Sequence, residues 1–277
     1  MTSPRQLLES HGLFPKKALG QNFLFDPNSL QKIVGIAEVR PEDTVLEIGT
    51  GTGSLTRLLA DHAQQVHTVE VDDRLVPILR DQLAGYGNIQ QHWQDILTLD
   101  LGKVLGKQPF KVVANLPYYI TSAILRKLLE GQPKPTSLTV MMQKQVAERL
   151  AAKPNDMSIL AVSVQFYGDP KTRMTLKPSV FYPRPDVDSS VVQMTVDPTP
   201  RYDVPSEGLF FEVVRAGFGQ KRKQLKNSLA SGLHLSDEVT AALLHQAGIE
   251  GQRRAETLTL EEWASLSRIY GNMSHAT

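Results

Sequence analysis

Directly after an apolar run, the chain carries Gly49, Gly51 and Gly53 in the stretch LEIGTGTGSLT. Glycines at the end of a buried strand let the backbone turn tightly and approach a ligand where a Cβ would clash. Glu70 closes the next apolar stretch, VHTVEV, at about the 20-residue distance where a carboxylate suits ribose hydroxyls. Asp95 follows a third stretch in HWQDIL, and there it can accept from an adenine amino group. A fourth stretch ends in Asn115, Leu116, Pro117 and Tyr118. Each has a plain alternative: a tight turn without a ligand, an exposed strand-end acid, a strand-ending turn. As a series of polar groups at successive strand ends, they point to one nucleoside-containing ligand at the carboxyl edge of a sheet.

Two such ligands compete. The dinucleotide pattern Gly-x-Gly-x-x-Gly is imperfect, because its third position falls on Ser54 counted from Gly49 and on Thr56 counted from Gly51. S-adenosylmethionine has no phosphates and needs no pyrophosphate site, and Asp95 as a third acid favours it. The residues of ANLPYY suit methyl transfer to an adenine amine. That nitrogen is a poor nucleophile, its lone pair being delocalised into the ring. Acceptors aimed at its two protons would favour a tetrahedral nitrogen and stabilise the charge developing on it. Asn115 offers a side-chain carbonyl, and Leu116 or Pro117 a backbone one. Pro117 stiffens the turn. Tyr118 offers a face on which a flipped base can stack, worth about 1–3 kcal/mol. Alignment does most of the work, and no strong base is required.

The elements that must position these residues alternate. A short helix over 5–10 and a basic loop, KKALGQNF, precede a helix in DPNSLQKIVGIAEV with Asp26 or Asn28 as its cap. Strands are expected in TVLEIG, VHTVEV, NIQQHW, FKVVANL and SLTVMMQ, with helices in GSLTRLLADH, DRLVPILRDQL, TSAILRKLLEG and KQVAERLAA. This rhythm implies an α/β fold with a mainly parallel, Rossmann-like sheet covered on both faces. SILAVSVQFY reads equally as helix or strand. RMTLKP and SSVVQMTV read as two strands added antiparallel at one edge. DPTPRYDVPSEG reads as a linker. Four helices follow it, the second in KRKQLKNSLASG, with Ser236 and Thr259 as caps and Glu262 completing a capping box with Thr259. The expected division is therefore a sheet domain over 1–199 and a small all-α domain over 200–277.

Composition removes several classes. The chain has 277 residues, a formal net charge of +1 and no cysteine. It therefore has no disulfide, thiolate metal site or thiol nucleophile, and not the paired-cysteine signature of zinc deaminases. The seven histidines show no ligand spacing, and no metal is expected. His62 and His67 are expected at the surface; Met141, Met142, Trp93 and Trp263 are expected to pack. Neither a signal peptide nor a membrane span is evident, so a cytoplasmic location is expected.

LGQNFL, LEIGTGTGSLT, VEVD, QDIL, NLPYYITSAIL, MMQKQVAERL, FYPRPDVDSSVV and RAGFGQKRKQLKNSL occur in that order. Together they resemble the ribosomal RNA adenine N6-dimethyltransferase family over nearly the whole chain. The resemblance implies a class I methyltransferase with S-adenosylmethionine as cofactor. It places cofactor contacts on Asn22, Leu24, Gly49, Glu70, Asp95 and Asn115, the target amine within Asn115–Tyr118, and Phe181 beside the target base. Thr50 departs from the proline usual in the family's glycine loop, a difference that bears on loop stiffness and leaves the glycines intact. PRPDVDSSVV and GQKRKQLKNSL look closer to the small-subunit housekeeping branch than to the antibiotic-resistance branch, which modifies large-subunit RNA. The housekeeping branch implies two adjacent N6,N6-dimethyladenines near the 3′ end, made on a partly assembled small subunit, by a protein expected to be a monomer.

For an RNA enzyme, Arg215, Lys221, Arg222, Lys223 and Lys226 are candidate phosphate contacts, against a solvated helix face as the ordinary explanation of such a run. Lys16 and Lys17 are similar candidates, and Arg149 and Arg184 lesser ones. Two other readings stand beside the enzyme. One is an RNA-binding assembly factor without turnover, against which Glu70, Asp95 and NLPY count. The other is a nicotinamide-dependent oxidoreductase, against which the glycine spacing counts.

Overall fold

The computed structural model describes residues 3–199, 201–220 and 222–274. Among them nine strands form: β1 (Phe23–Leu24), β2 (Thr44–Ile48), β3 (Gln65–Glu70), β4 (Ile89–Trp93), β5 (Lys111–Asn115), β6 (Ser137–Gln143), β7 (Lys171–Leu176), β8 (Phe181–Tyr182) and β9 (Ser189–Thr195). The helices are α1 (Pro4–Ser10), α2 (Pro27–Ala37), α3 (Ser54–Ala60), α4 (Val76–Leu83), α5 (Leu101–Leu105), α6 (Thr121–Glu130), α7 (Lys144–Leu150), α8 (Ile159–Gln165), α9 (Glu207–Phe218), α10 (Leu225–Gly232), α11 (Asp237–Gln246) and α12 (Leu260–Ser274). The chain groups into two compact units, residues 3–147 with 170–196 and residues 148–169 with 197–274.

The first unit is built on a seven-stranded sheet of order β4-β3-β2-β5-β6-β9-β7. β4 through β6 run parallel, and β9 and β7 add antiparallel at the edge. All five residues of β2 are buried, as a central parallel strand requires. β2 pairs with β3 on one side and β5 on the other, so the strand order reverses between β2 and β5. Open α/β sheets bind ligands at such a reversal. Here it brings together the glycine loop after β2 and Asn115 at the end of β5.

Val45, Val66, Val113, Met141 and Val191 form one side of a core closed by Leu30, Ile33 and Val34 of α2 and by Leu55 and Leu59 of α3. A second cluster joins α1, through Leu7 and Leu8, to Leu75, Ile78, Leu79 and Leu83 in and just before α4. Strand alternation sends Leu24 into the first cluster and Phe23 into the second. β1, paired with β8, is thus pinned from both sides. Asp26 is the cap of α2, its Oδ2 accepting the Ser29 amide at 2.8 Å.

The second unit is helical. SILAVSVQFY resolves as α8, followed by Phe166, whose ring stacks on Phe210 at 4.4 Å and meets Phe211 edge-on. That aromatic cluster groups residues 148–169 with the C-terminal helices, although in sequence they precede the linker. The Thr259–Glu262 capping box forms, with both reciprocal amide bonds present. The basic run does not open a helix: α10 starts at Leu225, whose amide donates to the Arg253 carbonyl at 2.7 Å, and residues 222–224 form a turn before it. His67 is buried, not superficial, its ring parallel to His92 at 5.4 Å. Trp93 stands 38% exposed on the edge strand instead of packing, whereas Trp263 is buried.

Gly217 sits against Trp263, and a Cβ there would lie 2.3 Å from the indole Cη2. Trp263 is fully buried and has nowhere to retreat. Gly217→Ala is expected to cost about 1–3 kcal/mol, read as a lower urea midpoint followed by tryptophan fluorescence. An unchanged midpoint would show that the packing yields instead.

Candidate active site

At the carboxyl ends of β2, β3 and β5 lies a cleft of about 780 Å³, mouth included. The structure ties two of its sequence signals directly to each other. Glu70 Oε2 accepts the Gly51 amide at 2.9 Å, and Oε1 accepts the amides of Val71 and Asp72 at 2.9 and 3.0 Å. Gly51 reaches this position with φ of 57°, and a Cβ there would lie 3.0 Å from the Phe23 ring. Burial raises the Glu70 pKa, and the three amides oppose that shift. A carboxylate has about four acceptor sites; three are taken, and the one left lies on Oε2, available to a hydroxyl.

Asp95 is exposed at the mouth, its Oδ1 accepting the Leu97 amide at 2.9 Å. Val71 and Ile96, each the residue after a strand-end acid, line the same cleft. Val71 is 51% exposed, unusual for an aliphatic side chain beside a sheet. Two apolar surfaces flanked by acceptors make a slot for a purine. Sequence reasoning took the acids and passed over these neighbours; an apolar residue directly following each acid was the available signal.

Asn115 donates from Nδ2 to the Asn22 carbonyl at 2.9 Å. A carbonyl can only accept, so the amide orientation is fixed and Oδ1 is the acceptor that remains. The Pro117 carbonyl accepts from the Thr121 hydroxyl at 2.9 Å and the Ile120 amide at 3.3 Å. With both its lone pairs engaged, the Leu116 carbonyl is the backbone acceptor left in this turn. The Tyr118 hydroxyl meets the buried Ser189 Oγ at 2.5 Å, and burial raises its pKa. That bond holds the ring from its far end.

The cleft brings together Asn22, Gly49, Gly51, Glu70, Asp95, Asn115, Leu116, Pro117 and Tyr118. Gly53 and Phe181 lie outside it, and Leu24 lines a second cavity adjoining it behind the glycine loop. Leu24 and Phe181 face each other across the β1–β8 pair and are core residues, 6% and 2% exposed. Gly53 precedes α3 and packs toward Leu79 and Leu83. Glu47, unnoticed as a site residue, lies within β2 at 1% exposure. It lines the same second cavity, of about 430 Å³, together with Thr50. Glu47 Oε2 and Thr50 Oγ1 have no hydrogen-bond partner. An acid inside an otherwise apolar strand was the signal for it.

S-adenosylmethionine fits these residues. Among the described residues no lysine or arginine lines the cleft, whereas Glu70 and Asp95 do. A pyrophosphate would meet carboxylates without a cation; a sulfonium is matched in charge. The unpartnered Glu47 and Thr50 atoms beside the glycine loop suit a polar amino-acid tail. Among the described residues no group of three or more side chains could hold a metal ion.

Of the basic candidates, Arg215, Arg222, Lys223 and Lys226 are exposed, and Lys221 lies outside the described residues. Arg149 and Arg184 are exposed too, as is Lys17. Lys16 differs: its ammonium lies 3.5 Å from the buried Asp72 carboxylate.

The family described as ribosomal RNA adenine dimethylase matches residues 14–272. The chain is 45% identical over 271 residues to the ribosomal RNA small subunit methyltransferase A of Dehalococcoides mccartyi (strain CBDB1), covering 98% of this chain and 93% of that protein. It is 44% identical over 275 residues to the protein of the same name in Bacillus pumilus (strain SAFR-032), covering 96% and 94%. The crystal structure of the 23S rRNA methyltransferase ErmE superposes with a TM-score of 0.69 at 30% identity, covering 89% of this chain and 98% of that one. A dimethyladenosine transferase from Plasmodium falciparum shares the fold, with a TM-score of 0.74 at 24% identity over 88% and 95%.

Burial pushes the Glu47 pKa up to about 8, with Glu70 adding in the same direction. Its ordinary value is 4.5, so the folded chain holds a proton that the unfolded chain releases. Stability therefore falls as pH rises from about 4.5 through about 8. Glu47→Gln is expected to flatten that fall and to add on the order of 2 kcal/mol at pH 7, read by denaturant titration at several pH values. Equal pH slopes for both proteins would mean that Glu47 is already ionised when folded.

Proposed function

The chain belongs to the ribosomal RNA adenine dimethylase family, and from that premise we propose how its cleft works and on what. It is an S-adenosylmethionine-dependent adenine dimethyltransferase of small-subunit ribosomal RNA. The large-subunit reading is not favoured, since relatives at 44–45% identity over nearly the full chain carry the small-subunit name. A non-catalytic assembly factor is not favoured either, because the acids and the NLPY turn are intact in one cleft.

The observation that carries the proposal is the meeting of Glu70, Asp95 and Asn115 in a cleft lined by no cation. Glu70 takes a ribose hydroxyl, Asp95 the adenine amine, and Val71 and Ile96 the purine faces. S-adenosylmethionine supplies a methyl group already activated on a positively charged sulfur. In the first transfer Asn115 Oδ1 and the Leu116 carbonyl accept from the two protons of the target amine, drawing its lone pair out of the ring and stabilising the charge that grows on nitrogen; the methylated nitrogen then releases one proton to solvent and keeps one for the second transfer. Tyr118, held by Ser189, supports the extruded base. The substrate is a pair of adjacent adenines near the 3′ end of the RNA, within a partly assembled small subunit. The protein acts as a monomer in the cytoplasm; among the described residues no helix is long and apolar enough to cross a membrane. The exposed cations of the turn before α10, with Arg215 and Lys226, contact phosphates.

Asn115→Ala should lower methyl transfer by about 100-fold or more while calorimetry still detects S-adenosylmethionine binding. Transfer at the wild-type rate would remove Asn115 from the reaction. Mass mapping of modified nucleosides in small-subunit RNA identifies the target, and an unmodified RNA from a competent reaction would overturn the assignment. Replacing Lys221, Arg222 and Lys223 together by glutamine should reduce the salt slope of RNA binding by about 2–3; an unchanged slope would clear that patch of phosphate contact.

A further inference from the structure

One buried acid outside the catalytic turn gathers an unusual set of partners. Asp72 lies two residues after Glu70, and its side chain is fully buried. Arg74 grips both its oxygens, at 2.8 and 2.6 Å. Gln21 donates from Nε2 to Oδ2 at 2.8 Å, and the Lys16 ammonium stands 3.5 Å from Oδ1. Burial alone would raise the Asp72 pKa, but the bonds from Arg74 and Gln21 and the charges of Arg74 and Lys16 prevail and bring it down to about 2.

Two of those partners, Lys16 and Gln21, belong to one segment. Lys16 donates its amide to Gln21 Oε1 at 2.7 Å, closing a small loop, and Arg74 also reaches the Phe14 carbonyl at 3.4 Å. Leu19 through Phe23 line the cleft. Gly20 lies under the exposed Tyr119 ring, where a Cβ would come within 3.1 Å of it. Asn22, next to Gln21, supplies the carbonyl that orients the Asn115 amide. The segment therefore connects Asp72, buried just past the cleft-lining Glu70 and Val71 on one wall, to Asn115 on the other.

We propose that Asp72 is a positioning residue that latches the Lys16–Asn22 strap across the cofactor cleft through Gln21 and Lys16, and so sets the orientation of Asn115 from the opposite wall. The inference rests on the cleft being the cofactor's. Asp72 touches neither substrate; it acts through Gln21 and Asn22. The ion pair also commits Lys16 to the strap, which separates it in role from Lys17.

The test uses the full chain with two variants, Asp72→Asn and Gln21→Leu, and the double variant. Hydrogen exchange on protein without ligand should show amides 16–22 exchanging at least about tenfold faster in each, with β2 and β5 still protected. Calorimetry should show S-adenosylmethionine binding at least about tenfold weaker, and steady-state assays a raised KM for S-adenosylmethionine with an unchanged KM for RNA. The double variant should be little worse than either single one, since both cut the same latch. If Asp72→Asn loosens the whole sheet, Gln21→Leu decides, because it leaves the Asp72–Arg74 pair in place. Gln21→Leu with wild-type exchange and wild-type cofactor affinity would overturn the latch. Failure of the wild-type protein to bind S-adenosylmethionine would instead overturn the reading of the cleft.

Discussion

The hydrogen bond between the Gly51 amide and Glu70 sets most of what surrounds the site. It joins the loop after β2 to the end of β3, and it exists only because the loop can adopt a left-handed turn there. A carboxylate this buried is costly unless donors meet it, and the chain meets it with three backbone amides. Two of those belong to the next residues of the chain, Val71, which lines the cleft, and Asp72. One acid therefore shapes the loop, fixes the start of the next connection and keeps a single acceptor free. Little of this has to be organised when a ligand arrives, which is how a shallow sheet edge becomes a selective site.

Charge completes the selection. The cleft is lined by acids and neutral groups, and the nearest cations are turned to structural use: Lys16 and Arg74 are both held on Asp72. Locally, at the turn before α10, the opposite holds, and Arg222, Lys223 and Lys226 stand exposed in and beside that turn. A near-neutral whole chain thus conceals a segregation that suits a cationic cofactor in one place and a polyanion in another.

Much of this was legible in the sequence because it is local. Strand periodicity, glycine spacing and strand-end acids are each written in runs of five to ten residues, and the capping box at Thr259 needs only four. What was not legible depends on partners far along the chain. Nothing near Phe181 says that its ring will be taken up by the core opposite Leu24. Nothing in SILAVSVQFY says that Phe166 will find Phe210 and group its segment with helices beyond a linker. α5 has five residues, too few to show a helical period. Arg222 and Lys223 are helix-forming residues, but the Leu225 amide bonded to Arg253 sets the start of α10 and leaves these two cations in a turn. Glu47 was visible as an acid in an apolar strand and was read as strand alone.

Val71 and Tyr119 hold apolar surface in water at the rim of the cleft, 51% and 57% exposed. A cofactor seated in the cleft, its purine on Val71, would strip that hydration away. Removal of apolar surface from water carries a negative heat-capacity change, so the enthalpy of cofactor binding should grow steadily more favourable on warming. The rim side chains thereby give the association a thermal signature of its own.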